Sequence, residues 1–133
     1  MQSFTYRRHR SAAIAFVLLL FASATSAQEF SLKSNENVDL NPVYWVSNCQ
    51  SLLKSFVGVD VLEGPPGITL AIRDEEVLPR RQHCPNKVLG GTVVASVKGV
   101  PVKASGTLKY RVRYNTANGV QQSNHTVQMS LYP

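Results

Sequence analysis

The fold is decided by residues 107–131, which read TLKYRVRYNTANGVQQSNHTVQMSL. The first part of this stretch alternates apolar with basic residues, the period of two that is typical of a strand with one buried face. The expected buried face carries Leu108, Tyr110, Val112 and Tyr114. Asn118-Gly119 then supplies two residues that tolerate positive φ, as a type I′ hairpin turn requires. The sequence therefore predicts a long C-terminal β-hairpin.

A two-residue loop at Asn118-Gly119 also predicts the register of the hairpin. Leu108 would then face Met129 and Tyr110 would face Val127, so apolar residues meet apolar residues. On the other face, Lys109 would meet Gln128, Arg111 would meet Thr126 and Arg113 would meet Asn124. The same register places His125 opposite Val112, on the inner side. His125 is therefore expected to be a packed residue rather than a general base.

The N-terminal segment has the pattern of a secretory signal peptide. Arg7, Arg8 and Arg10 precede an apolar run from Ala12 to Ala22, and small residues follow. The run is too short to span a bilayer as a helix. We expect cleavage after Ala27, with Ala24 as the alternative, and export to the periplasm or beyond. Residues 28–133 contain no later segment that suits a membrane helix.

Residues 28–133 are long enough for one domain with its own core. Residues 28–41 are polar and are expected to form a flexible arm, so the domain would occupy residues 42–133. Cys49 and Cys84 are the two cysteines of the chain. In an oxidising compartment a Cys49–Cys84 disulfide is the default, and an unpaired redox thiol is the alternative.

Shorter motifs fill residues 42–106. Ser47 to Gln50 fits a capping box, and Cys49, Leu52, Leu53 and Phe56 lie at helical spacing, so we expect one short helix near residues 48–56. Alternating segments at 57–62 and 68–73 are expected to pair as strands around the Gly64 to Gly67 turn. Residues 74–91 are expected to form a long loop that the disulfide pins. Residues 92–98 are expected to form a strand with Val93, Ala95 and Val97 on one face.

Several short strands at even spacing predict a mainly β fold, a single antiparallel β-sandwich. The segment Gly106 to Tyr114 resembles the last two strands of immunoglobulin-like and fibronectin-type-III-like domains. That resemblance implies that Tyr110 is a corner tyrosine. Trp45 precedes both cysteines, so the antibody-type pattern is absent. The chain also resembles small exported proteins of alphaproteobacteria, a similarity that implies no activity.

Catalytic and metal chemistry find little support in the sequence. Residues 28–133 contain two histidines, His83 and His125, and the first lies in a basic loop. The acids of residues 74–76 are neighbours in sequence and do not suggest a glycosidase pair. No histidine or methionine follows Cys84 at blue-copper spacing, and the residues do not suit structural zinc. We therefore expect a protein that is not an enzyme and that needs no cofactor or metal.

Charge is distributed unevenly along the chain. Residues 28–76 carry eight acidic and three basic side chains, whereas residues 77–133 carry eight basic side chains and none that is acidic. Lys109, Arg111 and Arg113 would form a basic row on the hairpin, with only neutral partners across the turn. Arg80, Arg81 and Lys87 of the loop could extend that row. Such a face suits a polyanion or an acidic protein surface, although outward cations also simply keep a sheet from associating.

The sequence thus predicts an exported binding or adapter module. Its partner would be an acidic protein or an anionic envelope polysaccharide, and no nucleic acid is expected. The alternative is an inhibitor of an extracellular hydrolase that inserts the disulfide-pinned loop at 74–91.

Overall fold

Residues 28–133 are the part of the chain that this computed structural model describes, and they fold mainly into β-strands. The predicted signal peptide, residues 1–27, lies outside the described residues. A turn of 3-10 helix spans Arg80–Gln82. The strands are β1 (Glu29–Lys33), β2 (Asn37–Val43), β3 (Val46–Ser47), β4 (Gln50–Ser51), β5 (Leu53–Glu63), β6 (Ile68–Val77), β7 (Val88–Val97), β8 (Ala104–Thr116) and β9 (Gly119–Tyr132).

The strands form two main open sheets. The larger sheet has the order β1-β9-β8-β5 and the smaller has the order β2-β7-β6, while β3 and β4 make a separate short hairpin. Every pair is antiparallel except β1 with β9, which is parallel. Buried side chains of both sheets belong to one apolar cluster, so the two sheets share a single core. In residues 28–133 no helix is long and apolar enough to cross a membrane.

The C-terminal hairpin is β8 with β9, and its predicted inner row is confirmed. Leu108, Tyr110, Val112 and Tyr114 are all at most 1% exposed. The predicted strand at residues 92–98 is also confirmed as β7, with Val93, Ala95 and Val97 buried. Both strands were predictable because apolar residues recur at every second position, and this period decides which side chains face the core.

The predicted register of the hairpin is wrong by two residues. Tyr110 faces His125, not Val127, and the loop is Ala117-Asn118, flanked by Thr116 and Gly119. Positive φ occurs at Gly119 (96°) and not at Asn118, so the turn is not type I′. A shift of two residues leaves every side chain on its predicted face, because the strand period is two.

Thr116 accounts for the position of this turn. Its hydroxyl donates to the carbonyl oxygen of Gly119 over 2.8 Å and accepts from the N–H of Asn118 over 3.2 Å. Its side chain is 3% exposed, so these bonds satisfy a buried hydroxyl. The turn is therefore fixed by a side chain that precedes it, a contribution that the Asn-Gly signal does not include.

Residues 28–41, predicted to be a flexible arm, instead form β1 and much of β2. Leu32 and Leu40 are buried, and Phe30 and Val38 pack against the core. In each strand these apolar residues alternate with polar ones that face outward. The high polar content of the segment hides this alternation, and so the prediction of an arm was wrong.

The helix predicted near residues 48–56 is also absent from the structure. Asn48 and Cys49 form the loop of the β3–β4 hairpin, with φ of 49° and 60°, and β5 follows. Positive φ at two successive residues is the type I′ conformation and is incompatible with a right-handed helix. Leu53 and Phe56 still pack against the core, but from a strand with bulges. Bulges let residues at non-alternating spacing face the core, so Leu53 and Phe56 both do although they are three residues apart.

The segments at 57–62 and 68–73 are strands, as predicted, but they do not pair with each other. β5 pairs with β8 in the larger sheet and β6 pairs with β7 in the smaller one. The Gly64 to Gly67 turn therefore carries the chain from one sheet to the other. The loop predicted at 74–91 is correspondingly shorter, because β6 continues to Val77 and β7 begins at Val88.

The predicted Cys49–Cys84 disulfide is present. Its Cα atoms lie 5.4 Å apart, and it ties the turn of the β3–β4 hairpin to the segment that connects β6 with β7. Residues 78–87, which include the 3-10 turn, are therefore anchored by β6 at one end, by β7 at the other, and by the disulfide at Cys84.

Candidate binding surfaces

The outer face of the larger sheet carries the predicted basic row. Lys109, Arg111 and Arg113 alternate with the buried residues of β8, so their side chains leave the sheet on the side away from the core. Two of them are neutralised. Arg113 donates from Nε to Oδ2 of Asp60 over 2.9 Å, and Nζ of Lys109 lies 3.5 Å from Oε2 of Glu63.

The partners of the three cations across the turn are neutral, as predicted, but the two acids from the other side of β8 were not predicted. Asp60 and Glu63 belong to β5, which lies beside β8 on the side opposite β9. The sequence pattern identified the hairpin partner of β8 and gave no sign of its second neighbour. Two acids from the acidic half of the chain thus compensate two cations from the basic half.

Arg111 is the cation of this row that keeps an uncompensated charge. It lies opposite Asp60 on β5 and Asn124 on β9, but the carboxylate of Asp60 is bonded to Arg113. Within residues 28–133 no carboxylate forms an ion pair with Arg111, and its buried Nε has no hydrogen-bond partner there. An Arg with unused donors is a good ligand for a carboxylate, phosphate or sulfate group.

The loop cations lie elsewhere. Arg80, Arg81 and Lys87 are exposed and follow or flank the 3-10 turn. Arg81 lies close enough to His125 for its charge, together with burial of the ring, to lower the pKa of His125. His125 belongs to the inner face of β9, so the structure does not place Arg81 on the same side of the sheet as the row on β8.

A hydrogen-bonded chain of side chains runs along the inner face of the hairpin. Oγ of Ser123 is 2.5 Å from Oη of Tyr114 and 2.8 Å from Nε2 of His125. The His125 ring stacks on Tyr110, whose Oη accepts from Nδ2 of Asn41 over 3.0 Å. Burial raises the pKa of Tyr110 to about 12 and raises that of Tyr114 as well.

These hydrogen-bonded side chains were not predicted from the sequence, although Ser123 and His125 are two residues apart on one strand and so share a face. A serine beside a histidine is the first half of a catalytic triad. Here no carboxylate of residues 28–133 is hydrogen-bonded to the His125 ring. The acid that would orient a general base is therefore missing from the described arrangement. The hydrogen-bonded side chains of Tyr114, Ser123 and His125 instead form a polar lining of the core.

The acids of residues 74–76 divide between two faces of β6. Glu75 points outward, where Arg73 bonds both to it and to Asp39, and it also accepts from Thr92. The hydrogen bond from Thr92 is the largest cause that lowers the pKa of Glu75, and the hydrogen bond from Arg73 is the next. The hydrogen bond from Arg73 also lowers the pKa of Asp39. Asp74 and Glu76 are exposed and continue the row of Ile68, Leu70 and Ile72 on the opposite face.

Asp74 and Glu76 border a groove between the free edges of β5 and β6. It has a volume of about 640 Å³ and is lined by apolar side chains that include Phe56, Val59 and Ile72. Nowhere in residues 28–133 do three His, Cys, Asp or Glu side chains converge as a metal site would require. Glu75 and the exposed cation Lys54 also line the groove. The groove thus combines an apolar floor with several carboxylates and a lysine.

The chain matches no family model, no curated protein and no solved structure. Inferences about its function therefore rest on these surfaces alone.

Proposed function

We propose that this protein is an exported, non-enzymatic binding or adapter module with an immunoglobulin-like β-sandwich. The strand order supports the fold: β5, β8 and β9 correspond to strands C, F and G of such a sandwich, and β2, β7 and β6 correspond to B, E and D. The pattern of residues 1–27 and the disulfide support export.

Two features depart from the antibody-type domain. The disulfide joins the turn of the β3–β4 hairpin to the β6–β7 connection rather than strands B and F. Tyr110 was expected to be a corner tyrosine, whose hydroxyl bonds to the main chain a few residues upstream. Its hydroxyl instead accepts from the side chain of Asn41 on the other sheet. The proposed fold is thus a variant of the immunoglobulin-like arrangement.

The outer face of β8 is the proposed contact surface, and its partner is an acidic protein or an anionic envelope polysaccharide. The observation that carries this proposal is the uncompensated guanidinium of Arg111. The ion pairs of Lys109 and Arg113 are exposed, and pairs of this kind contribute only about 0–1 kcal/mol. A multivalent anion can therefore compete with Glu63 and Asp60 for these two cations while it binds Arg111.

The test uses purified protein with its disulfide formed and two probes, dextran sulfate and a polyglutamate peptide. We expect both to bind, with an affinity that falls as salt rises, and Arg111→Gln to weaken binding about tenfold. Lys98→Gln is the matched control, because Lys98 is an exposed cation at the end of β7 in the other sheet. Equal weakening in both variants, or none in Arg111→Gln, would remove the outer face as the contact surface.

A second candidate function is inhibition of an extracellular hydrolase by residues 78–87, the remainder of the predicted 74–91 loop. The exposed Arg80 and Arg81 sit on a turn that Cys84 anchors, and a rigid exposed loop is the kind of element that an inhibitor inserts. Stoichiometric inhibition of a protease that cleaves after Arg, lost on reduction and in Arg80→Ala or Arg81→Ala, would favour this function. Continued cleavage of a standard substrate at equimolar protein would exclude it for that protease class.

A further inference from the structure

The edge strands β5 and β6 leave the two sheets open along one side. β5 ends the larger sheet and β6 ends the smaller one, and they are 11 and 10 residues long. No backbone hydrogen bond joins one to the other within residues 28–133. The edge of β6 that faces away from β7 therefore presents a row of free N–H and C=O groups. A further strand could pair with these groups.

The groove between these edges reaches the core. Phe56, Val59 and Ile72 line it and pack against the buried cluster without being buried themselves. Gly91 lets Ile72 and Phe56 pack closely against β7, because a Cβ there would lie 2.8 Å from Cγ2 of Ile72 and 2.9 Å from Cε2 of Phe56. An added strand could thus place apolar side chains against core residues that the chain itself leaves half covered.

The inner row of β6 changes from apolar to acidic along its length. Ile68, Leu70 and Ile72 come first, and Asp74 and Glu76 continue the row opposite Gly91 and Leu89 of β7. Carboxylates two residues apart on a strand are spaced about 6.5–7 Å. Neither forms an ion pair with a cation of residues 28–133, whereas Glu75 between them is held by Arg73 on the other face.

We propose that this groove binds an extended segment of a partner protein that adds as a strand to the free edge of β6. Its inward side chains would be apolar where they meet Ile72 and basic where they meet Asp74 and Glu76. Charge complementarity selects this partner, because the acids that line the groove outnumber Lys54, the cation that lines it within residues 28–133. Opposite charges on facing strands stabilise pairing and like charges oppose it. The proposal goes beyond the function above, since it concerns another surface and a cationic rather than anionic partner.

The alternative role of Asp74 and Glu76 is to protect the edge of β6 from pairing with other strands. Charged side chains that point inward on an edge strand discourage other strands from pairing with it. That reading predicts that the groove stays empty whatever the sequence of an offered strand. The two readings therefore differ in whether a strand with matched basic residues binds.

The experiment measures binding of the full protein to the capped, fluorescently labelled peptide TVTVTKTKT by anisotropy. The matched peptide TVTVTETET has the same β-propensity and the opposite charge. We expect the lysine peptide to bind and the glutamate peptide to bind at least about tenfold more weakly. The double variant Asp74→Asn/Glu76→Gln should lower affinity for the lysine peptide about tenfold, whereas Glu36→Gln, in the exposed β1–β2 turn, should not.

Amide hydrogen exchange distinguishes strand addition from loose charge attraction. Bound lysine peptide should protect amides of residues 68–77, and those of residues 104–116 should stay unchanged. Equal affinity for the two peptides, or binding without protection of β6, would overturn the proposal. Absence of binding would establish protection as the role of the acids, and self-association with protected β6 amides would replace the partner with a second copy of the chain.

Discussion

The imidazole of His125 stacks on the phenol ring of Tyr110, with 5.1 Å between the ring centroids and 18° between the ring planes. The two residues face each other directly across β8 and β9. This contact follows from a loop at Ala117-Asn118, because a loop one residue later would set Val127 opposite Tyr110. The position of one turn thus decides whether the ring of His125 lies opposite Tyr110 or opposite Val112.

Protonation of His125 should destabilise the fold. Burial, and then the positive charge of Arg81, hold the pKa of His125 below its ordinary 6.5. The unfolded chain therefore takes up this proton at a higher pH than the folded chain does. The free energy of unfolding should begin to fall as the pH drops below about 6.5 and level off once the pH is below the folded-state pKa.

Urea midpoints between about pH 7.5 and about pH 5 measure this effect. The window lies above the ordinary pKa values of Asp39 and Glu75, 3.8 and 4.5, below which the lowered folded-state pKa values of these carboxyls would also reduce stability. His125→Gln should flatten the dependence, and His83→Gln, in the exposed loop, should preserve it. An unchanged slope in His125→Gln would assign the effect to other groups.

Loss of the Tyr110 hydroxyl should cost about 1–2 kcal/mol of unfolding free energy. Its ring is fully buried, and its Oη is the acceptor for Nδ2 of Asn41, so Tyr110→Phe leaves that amide without its partner. Tyr132→Phe is the control, because that ring lies near the surface and should change stability by less than about 0.5 kcal/mol. Coincident urea curves for the two variants would contradict the structural role of the Tyr110–Asn41 bond.

Removal of the disulfide should be the most costly of these changes. Cys49 and Cys84 are 35 residues apart in sequence, and closing a loop of that size corresponds to about 4 kcal/mol in the chain-entropy description. The variant Cys49→Ala/Cys84→Ala should lose stability of that order in urea and show faster amide exchange in residues 78–87. A loss below about 1 kcal/mol would mean that this segment is held mainly by its other contacts.

A methyl group at Gly91 should destabilise the protein by about 1–3 kcal/mol. Besides Ile72 and Phe56, the new Cβ would meet the carbonyl oxygen of Arg73 at 2.9 Å, and main chain cannot move aside cheaply. Gly99→Ala is the matched control, because nothing lies within 4 Å of a Cβ there. Thermal melts that rank the two variants in the opposite order would show that β6 and β7 relax around the added group.

Local alternation in the sequence determined which side chains of β7, β8 and β9 face the core. A period of two needs no knowledge of neighbours, so Leu108 and Tyr110 were predictable as buried and Arg111 as outward. The disulfide was predictable for a related reason, since the chain offers only one pair of cysteines. Even the error in the hairpin register left these faces intact, because it amounted to two residues.

Tertiary structure alone decided which strands lie side by side. It brings β5 beside β8, so that Asp60 and Glu63 neutralise two of the three cations in the row on β8 and leave Arg111. It separates β5 from β6, and so creates the groove. The physical reason is that alternation specifies the inward face of a strand, whereas the identity of its neighbour depends on how residues far apart in sequence fill one common core.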